Sequence, residues 1–196
     1  QWIEEQRWIV GELIFRQEYM LEPITVGNDF FWHEILEKCK NHGMIFDYTY
    51  RKKANEIIVI GVDFAVIEDK AHAEKADTDY FAITAIVYNR DTWKKRLLCG
   101  YTERWMKKIN QINMVHVWSS IFDADYIWVE KVAFLSWAAN EVEAGVSAKI
   151  MDTQSRKGKY DKADGIPSLQ LDFELWVWEI PYGDPMAKEF VDILYS

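Results

Sequence analysis

Glu56-Ile57-Ile58-Val59-Ile60-Gly61-Val62-Asp63-Phe64-Ala65-Val66-Ile67-Glu68-Asp69-Lys70 is the stretch on which the fold turns. Ile57 to Ile60 form a continuous, β-branched apolar run, the pattern of a strand buried on both faces. The run ends at Gly61-Val62-Asp63, so a carboxylate stands where the chain leaves the core. A single Asp at a strand end ordinarily caps a turn. It becomes chemically interesting only if other carboxylates converge on the same edge.

The rest of the chain sets the frame. Its 196 residues suffice for one substantial core with an appendage, and 49% apolar with 28% charged residues is a globular composition. Ten tryptophans are unusually many, and composition alone explains them only as packing mass. No apolar run approaches the roughly 20 residues of a bilayer-spanning helix, and the charged, amphipathic Gln1 to Arg7 does not resemble a secretory signal. No membrane association is expected. Cys39 and Cys99 lack metal-ligand spacing, which points to free thiols in a reducing cytoplasm, with one disulfide as the alternative. His33, His42, His72 and His116 form no H-x-x-x-H pair, which argues against zinc. A net charge of −9 excludes a simple nucleic-acid coat but not an enzyme with local basic patches.

Outward from the central stretch, Gln1 to Leu21 and Phe31 to Lys40 read as helices, so 1–43 is expected to be a helical linker and 44–196 the main domain. Strands are expected at Met44–Tyr50, Glu56–Val62, Tyr80–Asn89 and Thr92–Tyr101, with a polar loop from Ile67 to Asp79. A helix is expected over Thr102–Phe122, capped by Thr102, with Trp105, Ile109, Ile112 and Val115 on its stripe. Strand Asp125–Val129 leads to Glu130. Helix Val132–Ala144, strand Val146–Met151, a basic stretch Gln154–Ile166, strand Leu175–Ile180 and helix Met186–Tyr195 complete the order. An antiparallel meander followed by crossovers gives an α/β mixed sheet with helices on both faces. The Glu56–Val62 and Asp125–Val129 strands then become parallel neighbours, with Asp63 and Glu130 at one edge.

Two strand-end carboxylates suit Mg²⁺ or Mn²⁺, which prefer hard oxygen ligands. Two such ions can activate water and stabilise the leaving oxygen of a phosphodiester. A third acid is needed, and the closing helix offers Asp192, with Glu189 one turn earlier. The plainer readings are a turn cap for Asp63, a helix-start acid for Glu130 and a solvated helix face for Glu189 and Asp192. Arg51-Lys52-Lys53, Lys94-Lys95-Arg96 and Arg156 to Lys162 are either solvated loops or phosphate contacts beside the acidic centre.

Four segments resemble a known family. Phe15 to Ile24 is similar to the segment joining the ATPase and nuclease domains of the large terminase subunit of tailed bacteriophages. Ile60-Gly61-Val62-Asp63-Phe64-Ala65, followed by Thr78 to Ala82, resembles that nuclease's first catalytic strand and the start of the next. Ile127-Trp128-Val129-Glu130-Lys131-Val132-Ala133 looks like its second acidic motif, and Lys159-Tyr160-Asp161-Lys162-Ala163 like a basic motif that often carries Arg at Lys162. The ending departs from the pattern. The family closes with paired aspartates and a third beyond, where this chain has Lys188-Glu189-Phe190-Val191-Asp192, and Phe64 replaces a common proline.

The resemblance implies a ribonuclease H-like fold and a two-metal endonuclease cutting double-stranded viral DNA during genome packaging in the host cytoplasm. It implies catalytic Asp63, Glu130 and Asp192, with Glu189 as a further metal ligand and Asp79 assisting. Arg156, Lys157, Lys159 and Lys162 would hold DNA. No G-x-x-x-x-G-K-[ST] loop occurs, so a terminase's ATPase motor would lie in an N-terminal portion, with the small subunit and portal as further partners. The alternatives are a junction resolvase or transposase-type nuclease, a catalytically silent DNA-binding module of the same fold, or half of an actin-like ATPase.

Overall fold

The computed structural model describes residues 33–65, 80–130, 136–153, 169–175 and 177–193. The expected helix Gln1–Leu21, the loop Ile67–Asp79 and the basic stretch Gln154–Ile166 lie outside them. In chain order the elements are α1 (His33–Cys39), β1 (Lys40–Asn41), β2 (Glu56–Asp63), β3 (Phe81–Asn89), β4 (Lys95–Glu103) and α2 (Lys108–Phe122). There follow β5 (Tyr126–Glu130), α3 (Ser136–Gly145), β6 (Lys149–Thr153), α4 (Leu169–Glu174), β7 (Trp178–Pro181) and α5 (Pro185–Ile193).

The chain divides into two compact units, 1–40 with 156–178 and 41–155 with 179–196. In the first, α1 packs against α4. The Cys39 thiol donates to the Phe173 carbonyl at 3.6 Å, and the rings of Phe173 and Trp178 stack with centroids 5.2 Å apart.

The second unit holds the body of a mixed seven-stranded sheet, in the order β1-β7-β4-β3-β2-β5-β6. β2, β3 and β4 form the antiparallel meander, and β5 and β6 extend it in parallel. The expected parallel pairing of the Glu56 and Asp125 strands is present, running from Val59↔Tyr126 to Val62↔Val129. Asp125 locks its start. Its Oδ2 accepts from the Ile58 N–H at 2.8 Å, its own N–H donates to the Ile58 carbonyl at 2.9 Å, and Lys52 Nζ lies 3.1 Å from its Oδ1.

Several elements differ from the sequence expectation. β2 is not enclosed equally on both sides: Glu56, Ile58, Ile60 and Val62 are buried, whereas Ile57, Val59 and Gly61 are half-buried. Met44 to Tyr50 is no strand. It is held at single points, with Asp47 N–H on the Leu98 carbonyl and Phe46 N–H on Asp184. β4 runs two residues beyond the expected end, and Thr102 pairs with Ala82 in its ladder, so it cannot cap a helix. α2 therefore begins at Lys108. Its buried face is Gln111, Ile112, Val115, Trp118, Ser119 and Phe122, while Ile109 is 59% exposed and Trp105 precedes the helix. Helix α4 was not expected.

Alternation makes one face of the meander the core. Ile58, Ile60, Phe81, Ile83 and Ala85 are fully enclosed there, and α2 packs on β2 and β3. The opposite face carries a strip of small residues at one level, Gly61↔Thr84↔Gly100. α5 packs on its β4 end, at Gly100. A β-carbon on Gly100 would stand 2.3 Å from the Phe190 ring, and Phe46 packs on the same ring at 5.9 Å. The helix start is written in Gly183-Asp184-Pro185. Pro185 takes the first helical position, where its missing N–H is no loss, and Asp184 Oδ1 accepts from Ala187 N–H at 2.9 Å.

Candidate active site

Two parallel neighbours end together in acids. The last register pair of β2 and β5 is Val62↔Val129, and the next residue of each strand, Asp63 and Glu130, is its final one. Adjacent strands lie about 4.8 Å apart, so these two chain positions are close neighbours at one edge of the sheet. Asp63 is exposed. Strand periodicity assigns it to the same face as Gly61, which is the face that α5 covers.

α5 carries the other two candidate acids, Glu189 and Asp192. Phe190, Val191 and Ala187 are buried against the sheet, leaving Glu189 and Asp192 exposed. Asp192 has a partner that sequence reasoning missed: the Tyr182 hydroxyl donates to its Oδ1 at 2.8 Å. Tyr182 is fixed in turn by its own N–H, which donates to the carbonyls of Asn41 and Met44, and Lys188 Nζ stands 5.7 Å from its ring. Asp184 accepts from Phe46 as well as Ala187. Burial alone would raise its pKa, but these N–H donors and Lys188 hold it below the ordinary carboxylate value.

Among the described residues, no three His, Cys, Asp or Glu side chains gather as a metal-holding group. Asp63, Glu189 and Asp192 do not form one by themselves. Of the other acids singled out in the sequence, Glu130 is described by its backbone alone and Asp79 lies outside the described residues. The donors available at this edge are carboxylate oxygens, the chemistry that suits Mg²⁺ or Mn²⁺ rather than zinc.

The basic residues are distributed differently from the expectation. Arg51 to Lys53 and Lys94 to Arg96 do not flank the acidic edge. Glu56 pairs with Asn89 and Asp63 with Ala82, so those clusters stand at the other end of β2, roughly 23 Å away at 3.3 Å per residue. Among the described residues, cations at the acidic end include Arg104 and Lys107, which follow the end of β4, with Lys108 opening α2. The Arg104 guanidinium lies 5.0 Å from the Tyr80 ring centroid. Sequence reasoning passed over them because it placed them inside a helix. Arg156, Lys157, Lys159 and Lys162 lie outside the described residues.

Trp128 completes the setting. It sits at the level of Gly61, two residues before Glu130, and is 45% exposed although its strand neighbours Ile127 and Val129 are fully enclosed.

No family model and no curated protein sequence matches the chain. Its likeness is to solved structures. The large terminase nuclease from thermophilic phage G20c aligns over 81% of this chain and 77% of its own, with a TM-score of 0.53 and 17% identity. The same nuclease with bound magnesium gives a TM-score of 0.52 at 18% identity, covering 82% and 77%. The P22 large terminase nuclease domain gives 0.52 at 10% identity, covering 79% and 74%. The likeness establishes a fold.

Proposed function

On the premise that this chain has the ribonuclease H-like fold of the large terminase nuclease domains, we propose that it is a metal-dependent endonuclease cutting double-stranded DNA during phage genome packaging. The observation that supports this reading most directly is the common end of β2 and β5, where Asp63 and Glu130 close two parallel neighbours. The carboxyl ends of parallel strands are where α/β sheets collect ligands.

In this reading Asp63 and Glu130 hold Mg²⁺ or Mn²⁺, with Asp192 or Glu189 supplying the third carboxylate from α5. The magnesium-bound G20c nuclease is the precedent for the ion. When bound, two such ions supply an activated water and charge stabilisation for the departing oxygen. The protein's share is positioning. α5 is pinned by Phe190 over Gly100, and Tyr182 orients Asp192. Arg104 and Lys107 at the same end, with Arg156, Lys157, Lys159 and Lys162, draw the DNA backbone in, which an acidic chain cannot do through its overall charge. Asp79 would assist. We read residues 44–196 as the nuclease domain and 1–43 as the linker, with 156–178 belonging to the nuclease by sequence while clustering with 1–40 in one compact unit. In a complete terminase the linker leads to the ATPase domain, and the small subunit and portal deliver the DNA, in the host cytoplasm. Among the described residues no helix is long and apolar enough to cross a membrane.

The test is plasmid cleavage with Mg²⁺, with Mn²⁺ and with chelator. Cutting by the native chain with either ion, abolished by chelator and by Asp63→Ala or Glu130→Ala, is the expected result. An Asp63→Ala protein that nicks at the native rate would overturn the assignment.

A further inference from the structure

At the end of the sheet away from the acids, the β3–β4 hairpin presents Trp93 in a conformation that tryptophan rarely adopts. Its φ is 62°, in the left-handed region, where Gly or Asn would sit without strain. Nothing encloses it in compensation, for it is 69% exposed and touches Tyr88 edge-on at 6.2 Å. Burial therefore does not explain this residue at this position.

The turn beneath it is tightly built. Trp93 N–H donates to the Asn89 carbonyl and Asn89 N–H to the Lys94 carbonyl, both at 2.9 Å. Asn89 Oδ1 accepts from the N–H groups of Asp91 and Thr92, each at 3.0 Å. Arg90 N–H donates to the Asn55 carbonyl at 2.9 Å, and Asp91 is engaged by the Asn55 amide at 2.7 Å. The indole is thus held outward on a preorganised tip. Arg90 and Lys94, both exposed, flank it, and Arg51 and Lys53 follow on the adjoining segment. On a chain of net charge −9 this end gathers exposed cations around an exposed aromatic face.

We propose that the hairpin tip is a second DNA contact, remote from the acidic edge. Trp93 stacks on a base, and Arg90 and Lys94 take the phosphates on either side. Cations interleaved with a rigid aromatic ring are the chemistry of strand binding, because every base offers a face and every linkage a charge. The inference rests on the reading that the substrate is DNA. It adds a holding surface roughly 23 Å from the cutting edge, so that a strand is gripped at two places.

Binding of a fluorescent single strand and of the matching duplex, measured in chelator over a salt series, tests this without cleavage. Trp93→Gly is expected to weaken strand binding roughly tenfold, while its urea midpoint stays level or rises because the backbone strain is gone. Trp93→Phe should keep most of the affinity. Arg90→Ala with Lys94→Ala should flatten the salt dependence by about one to two in the log–log slope. A larger loss on the single strand assigns stacking on an unpaired base, and an equal loss on both assigns a wedge into the duplex. Unchanged affinity for both oligonucleotides in Trp93→Gly and in the double variant overturns the contact, leaving a hairpin that faces protein. A chain that binds through the hairpin yet cuts with neither metal upholds the contact and refutes the nuclease reading. One that cuts normally and ignores the hairpin changes does the reverse.

Discussion

Phe190 occupies the place where residue 100 would carry a β-carbon. That atom would lie 2.3 Å from two ring carbons, so the closing helix reaches the sheet only because Gly100 has no side chain. The relationship extends across three strands, since Gly100 is level with Thr84 and Thr84 with Gly61. Gly61 is tight as well, with Thr84 Oγ1 2.8 Å from its would-be β-carbon. Two residues past Gly61 is Asp63, on the same face. The small-residue strip thus brings the helix bearing Glu189 and Asp192 onto the face of the first acid.

Gly100→Ala is expected to destabilise the protein by about 1–3 kcal/mol, the usual cost of overpacking a filled site. Phe190→Leu in the same chain should recover part of the loss by withdrawing the ring. Urea unfolding of the single and double variants measures this, and a single variant with native stability would remove the strip from the account.

Asp184 carries a pH-dependent share of stability. Its N–H donors hold its folded pKa below that of a free Asp. The contribution is therefore complete above the unfolded pKa, about 3.9, and is lost as pH falls through the lower folded value. Asp184→Ala should cost about 1–2 kcal/mol at pH 7, as for a lost helix cap, and the gap from the native protein should close in strong acid. Thermal melts of both proteins from pH 7 to pH 2 check the sign. A gap that widens on acidification would contradict it.

Asp125 anchors the parallel pair through its side chain. Asp125→Ala leaves the Ile58 N–H without its carboxylate partner and strips Lys52 of one of its acids, for about 1–3 kcal/mol. Asp125→Asn keeps an acceptor for Ile58 and should lose less. Chemical denaturation ranks the three proteins. An Asn variant weaker than the Ala variant would show that the backbone bond is not the important one.

Cys99 should be inert in the folded state. Burial, with a smaller push from the Asp47 carboxylate, moves its thiol pKa well above the ordinary range, and the thiolate is the reactive form. Cys39 is buried too, and neither forms a disulfide. A chromogenic disulfide reagent at pH 8 should count two thiols in urea and label Cys99 in the native protein only at the pace of unfolding. Rapid stoichiometric labelling of Cys99 without denaturant would refute its enclosure.

What the chain declared locally was accurate where one strong signal ruled. The β-branched run to Asp63 and the apolar run to Glu130 marked β2 and β5 to within a residue or so. Gly183-Asp184-Pro185 marked the start of α5. The signal failed where two local preferences competed. Thr102 looks like a cap, but its backbone is committed to Ala82 across the ladder, so helix α2 starts six residues later. Half-burial of Ile57 and Val59 was equally illegible, because an apolar run does not reveal how closely its second face is covered.

The sequence by itself determined which residues make strands, and that two of those strands finish in carboxylates, because β-branching, turn residues and acids act through near neighbours. The element order already implied that Asp63 and Glu130 share an edge; tertiary structure alone decided the register there and what else meets it. Register across β3-β2-β5 joined Asp63 to the level of Glu130 and carried Arg51 to Lys53 and Lys94 to Arg96 to the opposite end. It also matched Phe190 with a glycine 90 positions earlier in the chain. Such choices are made by pairing and packing between distant segments, and no local spacing encodes them.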